Sequence, residues 1–145
     1  MRPLTGAAMA VALSGCALPV QREEPVLPLD RATFDVQVEP ILERRCGTAA
    51  CHGQAVRGLV VYAPLQYRAD PERTWSVEPL TEPEVRHNFV AAMVSARLPA
   101  WSGGSMFLQK PLADRVGEYH GGGVIFADET DRDFLVLRDW VEQAP

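Results

Sequence analysis

The run Arg45-Cys46-Gly47-Thr48-Ala49-Ala50-Cys51-His52-Gly53 constrains this chain more than any other stretch. Two cysteines are separated by four residues, and a histidine follows the second directly. Two neighbouring thiols beside an imidazole have three chemical readings. Each thiol can add to one vinyl group of a haem, with His52 beneath the ring as proximal iron ligand. The thiols can instead close as a short-range disulfide, with His52 at the surface. Or Cys46, Cys51 and His52 can bind zinc, with His120 completing the set. The usual attachment signature is C-x-x-C-H, and this loop is two residues longer. The extra residues must bulge between the anchors. Gly47, Ala49 and Ala50 suit that, because they carry little side chain to meet a macrocycle. Haem attachment is the leading reading.

The chain opens on an address segment, residues 1–15. Arg2 supplies a positive start, and Leu4 to Leu13 is an alanine-rich apolar run too short to span a bilayer. Leu13-Ser14-Gly15-Cys16 resembles the bacterial lipoprotein box. The resemblance implies cleavage before Cys16, lipid on its sulfur, and, with Ala17 in place of aspartate, export to the outer membrane facing the periplasm. The bland alternative is an ordinary secretory peptide with a chance cysteine. Residues 16–30 then read as a tether, with Pro19, Pro25 and Pro28 set among polar residues. Residues 31–145 would form one folded domain.

Composition narrows the function. Apolar residues make up 47% of the 145, enough for a real core. The net charge of −5, with no basic run, argues against nucleic-acid binding. No nucleophile–base arrangement, phosphate loop or paired acid/base carboxylates stand out. No small-molecule substrate chemistry is therefore evident in the sequence.

Helical periodicity recurs. Phe34, Val38, Ile41 and Leu42 share one face, with Asp30 or Thr33 as cap and Pro40 expected to kink or divide the run. Residues 54–80 read as mostly loop. Leu59, Val60, Val61, Tyr62 and Leu65 are candidates for a crevice wall, and Tyr67 and Trp75 for contacts to a carboxylate of the cofactor. Thr81 and Glu84 form a capping-box pattern ahead of the stripe Val85, Phe89, Ala92, Met93 and Ala96. His87 lies off that stripe and is expected in solvent. Ser105 is a candidate cap for a short helix at Met106. A last helix is expected over 130–143, capped by Thr130, with Asp131 and Asp133 in its first turn.

At this point the motifs resemble a family. Phe34-x-x-x-Val38-x-Pro40-Ile41-Leu42 followed by Cys46 and Cys51-His52-Gly53 is similar to the start of bacterial cytochrome c domains found in exported proteins. Lys110-Pro111-Leu112, His120-Gly121-Gly122-Gly123, Phe126, Asp133-Phe134 and Leu137-x-x-Trp140-Val141 resemble their ending. The likeness covers most of residues 33–142 and is weakest over 54–104. It implies a mainly α, cytochrome c-like small helical domain with long loops around one covalent haem c. It also implies one-electron transfer between exported redox partner proteins, with the first and last helices crossing beside the haem. Cys46 and Cys51 would carry the haem and His52 the proximal bond. His120, before three glycines that let backbone pass close to a flat group, is the expected distal ligand. Met106 comes next, then Met93 and His87. The competing reading is a haem-free lipoprotein stapled by Cys46–Cys51, acting as an envelope interaction module.

Overall fold

The computed structural model describes residues 29–112 and 119–142. The address segment, Cys16 and most of the tether lie outside the described residues. Among those residues the structure is helical and strand-free, with two isolated bridges, Pro99 to Ser105 and Leu112 to Phe126. A mainly α domain was the expectation, and this is one.

The first helix, α1, covers residues 31–46 as alternating turns: α at Arg31–Thr33, π at Phe34–Val38, α at Glu39–Ile41 and π at Leu42–Cys46. Asp30 caps it, its carboxylate accepting from the Thr33 N–H at 2.5 Å. Pro40 neither stops nor divides the helix. A proline lacks the N–H and crowds the preceding turn, and wider π turns flank it on both sides, as at π-bulges generally. Leu29 is buried in the core, so the folded domain reaches back into the segment read as tether.

A long loop carries the chain to α2, Glu82–Arg97, interrupted by a 3₁₀ turn at Pro71–Arg73. The expected capping box is present, with the Glu84 carboxylate accepting from the Thr81 N–H at 2.8 Å. The expected stripe is also there, with Ala92 and Ala96 buried and Val85, Phe89 and Met93 packed against the core. His87 is exposed, as its position off the stripe required.

The short helix α3, Met106–Gln109, is not capped by its serine. Ser105 Oγ is buried without a partner, and the Ser105 carbonyl takes the Leu108 and Gln109 N–H groups instead. The last helix, α4, covers Arg132–Glu142. Its cap is Asp131, whose carboxylate accepts from the Asp133 N–H at 2.8 Å. Thr130 is occupied by Asp128. The aspartate carboxylate, one bond further from the backbone than a threonine hydroxyl, reaches the N–H two residues on in an Asx turn. Gln143 lies outside the described residues.

Helices α1 and α4 meet as expected. Phe34 lies against Trp140 with ring centroids 5.4 Å apart, and Phe126 against Phe134 at 5.9 Å. Trp140 Nε1 donates to the Asp30 carbonyl at 2.9 Å. Arg44 and Arg45 at the end of α1 both reach Asp133 at the start of α4, at 2.6 and 3.0 Å. The two cations outweigh the burial that would raise it and hold the Asp133 carboxyl below its ordinary value.

Two buried polar groups tie α2 to the rest. Asn88 brackets Tyr62, accepting from its N–H at 2.9 Å and donating to its carbonyl at 2.8 Å. Asn88 also donates to Glu39 Oε1 at 2.8 Å, while Glu39 Oε2 is buried without a partner. Burial, helped by nearby Glu43 and Asp35 and opposed by the Asn88 bond, pushes the Glu39 carboxyl up to about 7. A raised carboxyl favours the protonated fold. This contribution is fully present below the ordinary value of 4.5 and is lost as pH rises through about 7. Glu39→Gln is therefore expected to be the more stable protein at about pH 8, by up to about 3 kcal/mol. Urea unfolding at about pH 5 and about pH 8 checks this. Equal pH slopes for the two proteins would rule it out.

Candidate functional site

The last π turn of α1 delivers Cys46, and the Gly47 N–H donates back to the Leu42 carbonyl at 2.8 Å. The two extra residues of the motif are absorbed as compact turns. Cys51 and Gly53 N–H groups both donate to the Thr48 carbonyl, at 2.9 and 3.0 Å, and the His52 N–H returns to the Cys46 carbonyl at 3.0 Å. Gln66 Oε1 accepts from the Ala49 N–H at 3.0 Å, and Gln54 Nε2 donates to the Ala49 carbonyl. Gly47 is needed for a reason other than clearance for a macrocycle. A Cβ there would stand 2.8 Å from Ala63 Cβ and 3.2 Å from the Glu43 carbonyl, so it faces the protein.

Cys46 and Cys51 are free thiols, both half-buried. Burial, with Cys51 close by, pushes the Cys46 thiol up to about 12, so it is held neutral. His52 Nδ1 donates to the Leu59 carbonyl at 2.8 Å, and the Val61 N–H donates to the His52 carbonyl at 2.9 Å. These bonds fix the tautomer and leave Nε2 as the open nitrogen. Burial lowers the His52 imidazole below its ordinary value. The Leu59 bond opposes this, and His120, Arg57 and Lys110 add to it. The ring therefore stays neutral, the form that binds metals.

His120 stands on the opposite segment. Its Nδ1 donates to the Gly123 carbonyl at 2.7 Å, again leaving Nε2 open. The turn closes with the Gly123 N–H on the His120 carbonyl, and Gly123 has φ +79°, a left-handed conformation that glycine adopts without strain. The His52 and His120 rings face one another with centroids 5.9 Å apart and planes 21° from parallel. Gly122 lies beside both halves of the site: a Cβ there would meet His120 Cε1 at 3.5 Å and Cys51 Sγ at 3.6 Å. The bridge between Leu112 and Phe126, with Ile125 and Phe126 N–H groups on the Pro111 carbonyl at 3.0 Å, holds this segment against α3.

Cys46, Cys51, His52 and His120 all line one cavity of about 350 Å³, in the range of small-molecule sites. Leu59, Met106, Phe107, Ile125, Phe126 and Leu137 supply apolar wall, and Arg45, Arg57, Lys110 and Tyr119 stand around it. Several expected wall residues are elsewhere. Val61 is in the core and Leu65 is exposed with φ +58°. Tyr67 stacks on Tyr62 at 5.5 Å, and Trp75 is largely exposed. Neither Tyr67 nor Trp75 lines the cavity, because the loop turns away after Leu59 to pair with Asn88. Met93 packs in the core and is not among the lining residues, while Met106 is.

Two imidazoles with open Nε2 atoms and two free thiols line the same cavity, a donor set able to hold a metal or a metal-centred group. Each imidazole has its Nδ1–H fixed by a backbone carbonyl, the usual support of a metal-binding histidine. Bonds of about 2.0–2.1 Å to a metal on each side set ring centroids roughly 6 Å apart. Among the described residues no group of three or more histidine, cysteine or acidic side chains is gathered to hold an ion by itself. Among them, too, no helix is long and apolar enough to cross a membrane. Comparison with family models, with curated proteins and with solved structures yields no match.

Proposed function

We propose that this chain is a membrane-anchored monohaem c-type cytochrome that passes single electrons between exported redox proteins in the cell envelope. One observation carries the reading: two carbonyl-fixed imidazoles face each other across a cavity whose wall holds both free thiols. A covalent haem would supply a one-electron iron couple there. Cys46 and Cys51 would hold it by thioethers, and His52 and His120 would bind its iron, with Met106 the alternative to His120. Two histidines set a lower potential than histidine with methionine. Phe107, Ile125, Phe126 and Leu137 keep water from the cavity wall, and the fixed Nδ1–H groups keep both rings oriented. Lipid on Cys16 would hold the domain at the outer membrane.

The full chain, purified from cells able to attach haem, is expected to be red, with haem mass retained through denaturing electrophoresis. A colourless chain with a Cys46–Cys51 disulfide would establish the haem-free envelope module instead. His120→Ala is expected to convert the six-coordinate low-spin spectrum to a five-coordinate one. An unchanged spectrum would move the assignment to Met106, which Met106→Ala then tests.

A further inference from the structure

The cavity has a charge pattern that the two imidazoles and the thiols do not use. Its lining contains Arg45, Arg57 and Lys110, and among the described residues no carboxylate, in a chain with 19 acidic and 14 basic side chains. Arg45 is neutralised by Asp133 at 3.0 Å and Asp131 at 3.8 Å. Arg57 and Lys110 have no ion-pair partner among the described residues, and both line the cavity together with His52. Lys110 is also the only lysine in the chain. Two cations without an ion-pair partner among the described residues, beside an apolar cavity, raise the affinity for a ligand with an apolar body and an anionic edge.

We infer that Arg57 and Lys110 anchor the carboxylate-bearing edge of the bound tetrapyrrole. The inference rests on the haem reading above and moves to Arg57 and Lys110 the carboxylate contact expected of Tyr67 and Trp75. The arginine fork suits a carboxylate through paired N–H donors, and the lysine acts as a point charge. Together they neutralise negative charge beside the iron, which favours the ferrous state, and they hold those carboxyls ionised at lower pH.

The experiment is a redox titration over pH on the haem-loaded full chain. It compares the unaltered protein with Arg57→Gln/Lys110→Gln, with Arg57→Lys/Lys110→Arg, and with Arg86→Gln, an exposed cation outside the cavity. In the double glutamine variant the ferric-to-ferrous ratio at fixed potential is expected to rise about tenfold, a fall of about 59 mV for one electron. Its pH-dependent step is expected to move to higher pH. The charge-conserving variant and Arg86→Gln are expected to follow the unaltered protein. Haem attached with an unchanged titration in the glutamine variant overturns this assignment alone. A chain with no covalent haem overturns the assignment together with the reading it rests on.

Discussion

Arg68→Met is expected to destabilise the fold by roughly 3–5 kcal/mol, the cost of stranding a buried charge. Arg68 is fully buried, and both its Nε and Nη2 donate to Glu84, at 2.9 and 2.8 Å. Its remaining donors reach the Glu78 and Pro79 carbonyls at 3.0 and 3.1 Å. Glu84 is equally buried and also accepts from the Ala69 and Thr81 N–H groups, at 2.9 and 2.8 Å. Four of the five N–H donors of Arg68 are engaged in this knot, and loss of the guanidinium leaves a buried carboxylate without its counter-charge. Glu84→Gln is expected to cost a similar amount. Arg68→Met/Glu84→Leu should recover part of the loss, because the expensive state is one partner without the other. Burial alone would raise the Glu84 carboxyl, but Arg68, the two N–H groups and the Thr81 hydroxyl bring it down to about 2. A lowered carboxyl gives stability that is present above the ordinary value of 4.5 and is lost as pH falls towards about 2. Glu84→Gln should therefore lack the acid limb of the stability curve. Chemical unfolding of the single and double variants decides the matter. Single changes costing under about 1 kcal/mol would show that the pair is replaceable, as exposed pairs are.

Local signals were legible and distant ones were not. The start of α2 could be read because Thr81, Glu84 and the stripe from Val85 to Ala96 all lie within one helix, where period and capping apply. The same reading assigned Glu84 only to its own helix. Its larger role depends on Arg68, 16 residues earlier in a loop without periodicity. Thr130 was one residue from the true cap, Asp131, because several short polar side chains precede α4 and only backbone geometry chooses among them. The site was legible through its motif residues. Cys46, Cys51, His52 and His120 do meet at one cavity, although the family likeness, not periodicity, joined His120 to the others. Arg57 and Tyr119 carried no local signal, and Lys110 entered only within the Lys110-Pro111-Leu112 likeness, since a charged or aromatic residue in a loop reads the same whether it faces a cavity or solvent. The wall assigned to Val61, Tyr62 and Leu65 failed for a related reason. Asn88 takes both backbone groups of Tyr62, a pairing across 26 residues that turns the loop inward.

Gly53→Ala is expected to be the most damaging single-methyl change in the motif. A Cβ at Gly53 would lie 2.3 Å from the Gly47 carbonyl oxygen and 2.9 Å from the Thr48 carbonyl. Both are backbone atoms of the loop between the cysteines, so no flexible side chain can yield. Relief requires the loop to open, and the bonds that close it are those placing His52: its own N–H on Cys46 and the Gly53 N–H on Thr48. Overpacking of this kind costs typically about 1–3 kcal/mol, and more where only backbone can move. On the haem reading the same displacement carries His52 away from His120, so the yield of haem-loaded chain should fall steeply, as measured by pigment per mole of protein. Gly58→Ala is the matched control. It lies in the same loop region and lines the same cavity, but a Cβ there meets nothing within 4 Å and its backbone is not left-handed. An alanine that fits the native backbone is neutral to stabilising by about 0.4–1 kcal/mol, because it restricts the unfolded chain. Equal unfolding midpoints for the two alanine variants would mean the loop can relax around Gly53. The hydrogen bonds between Cys46, Thr48 and His52 would then not be what fixes the His52 imidazole.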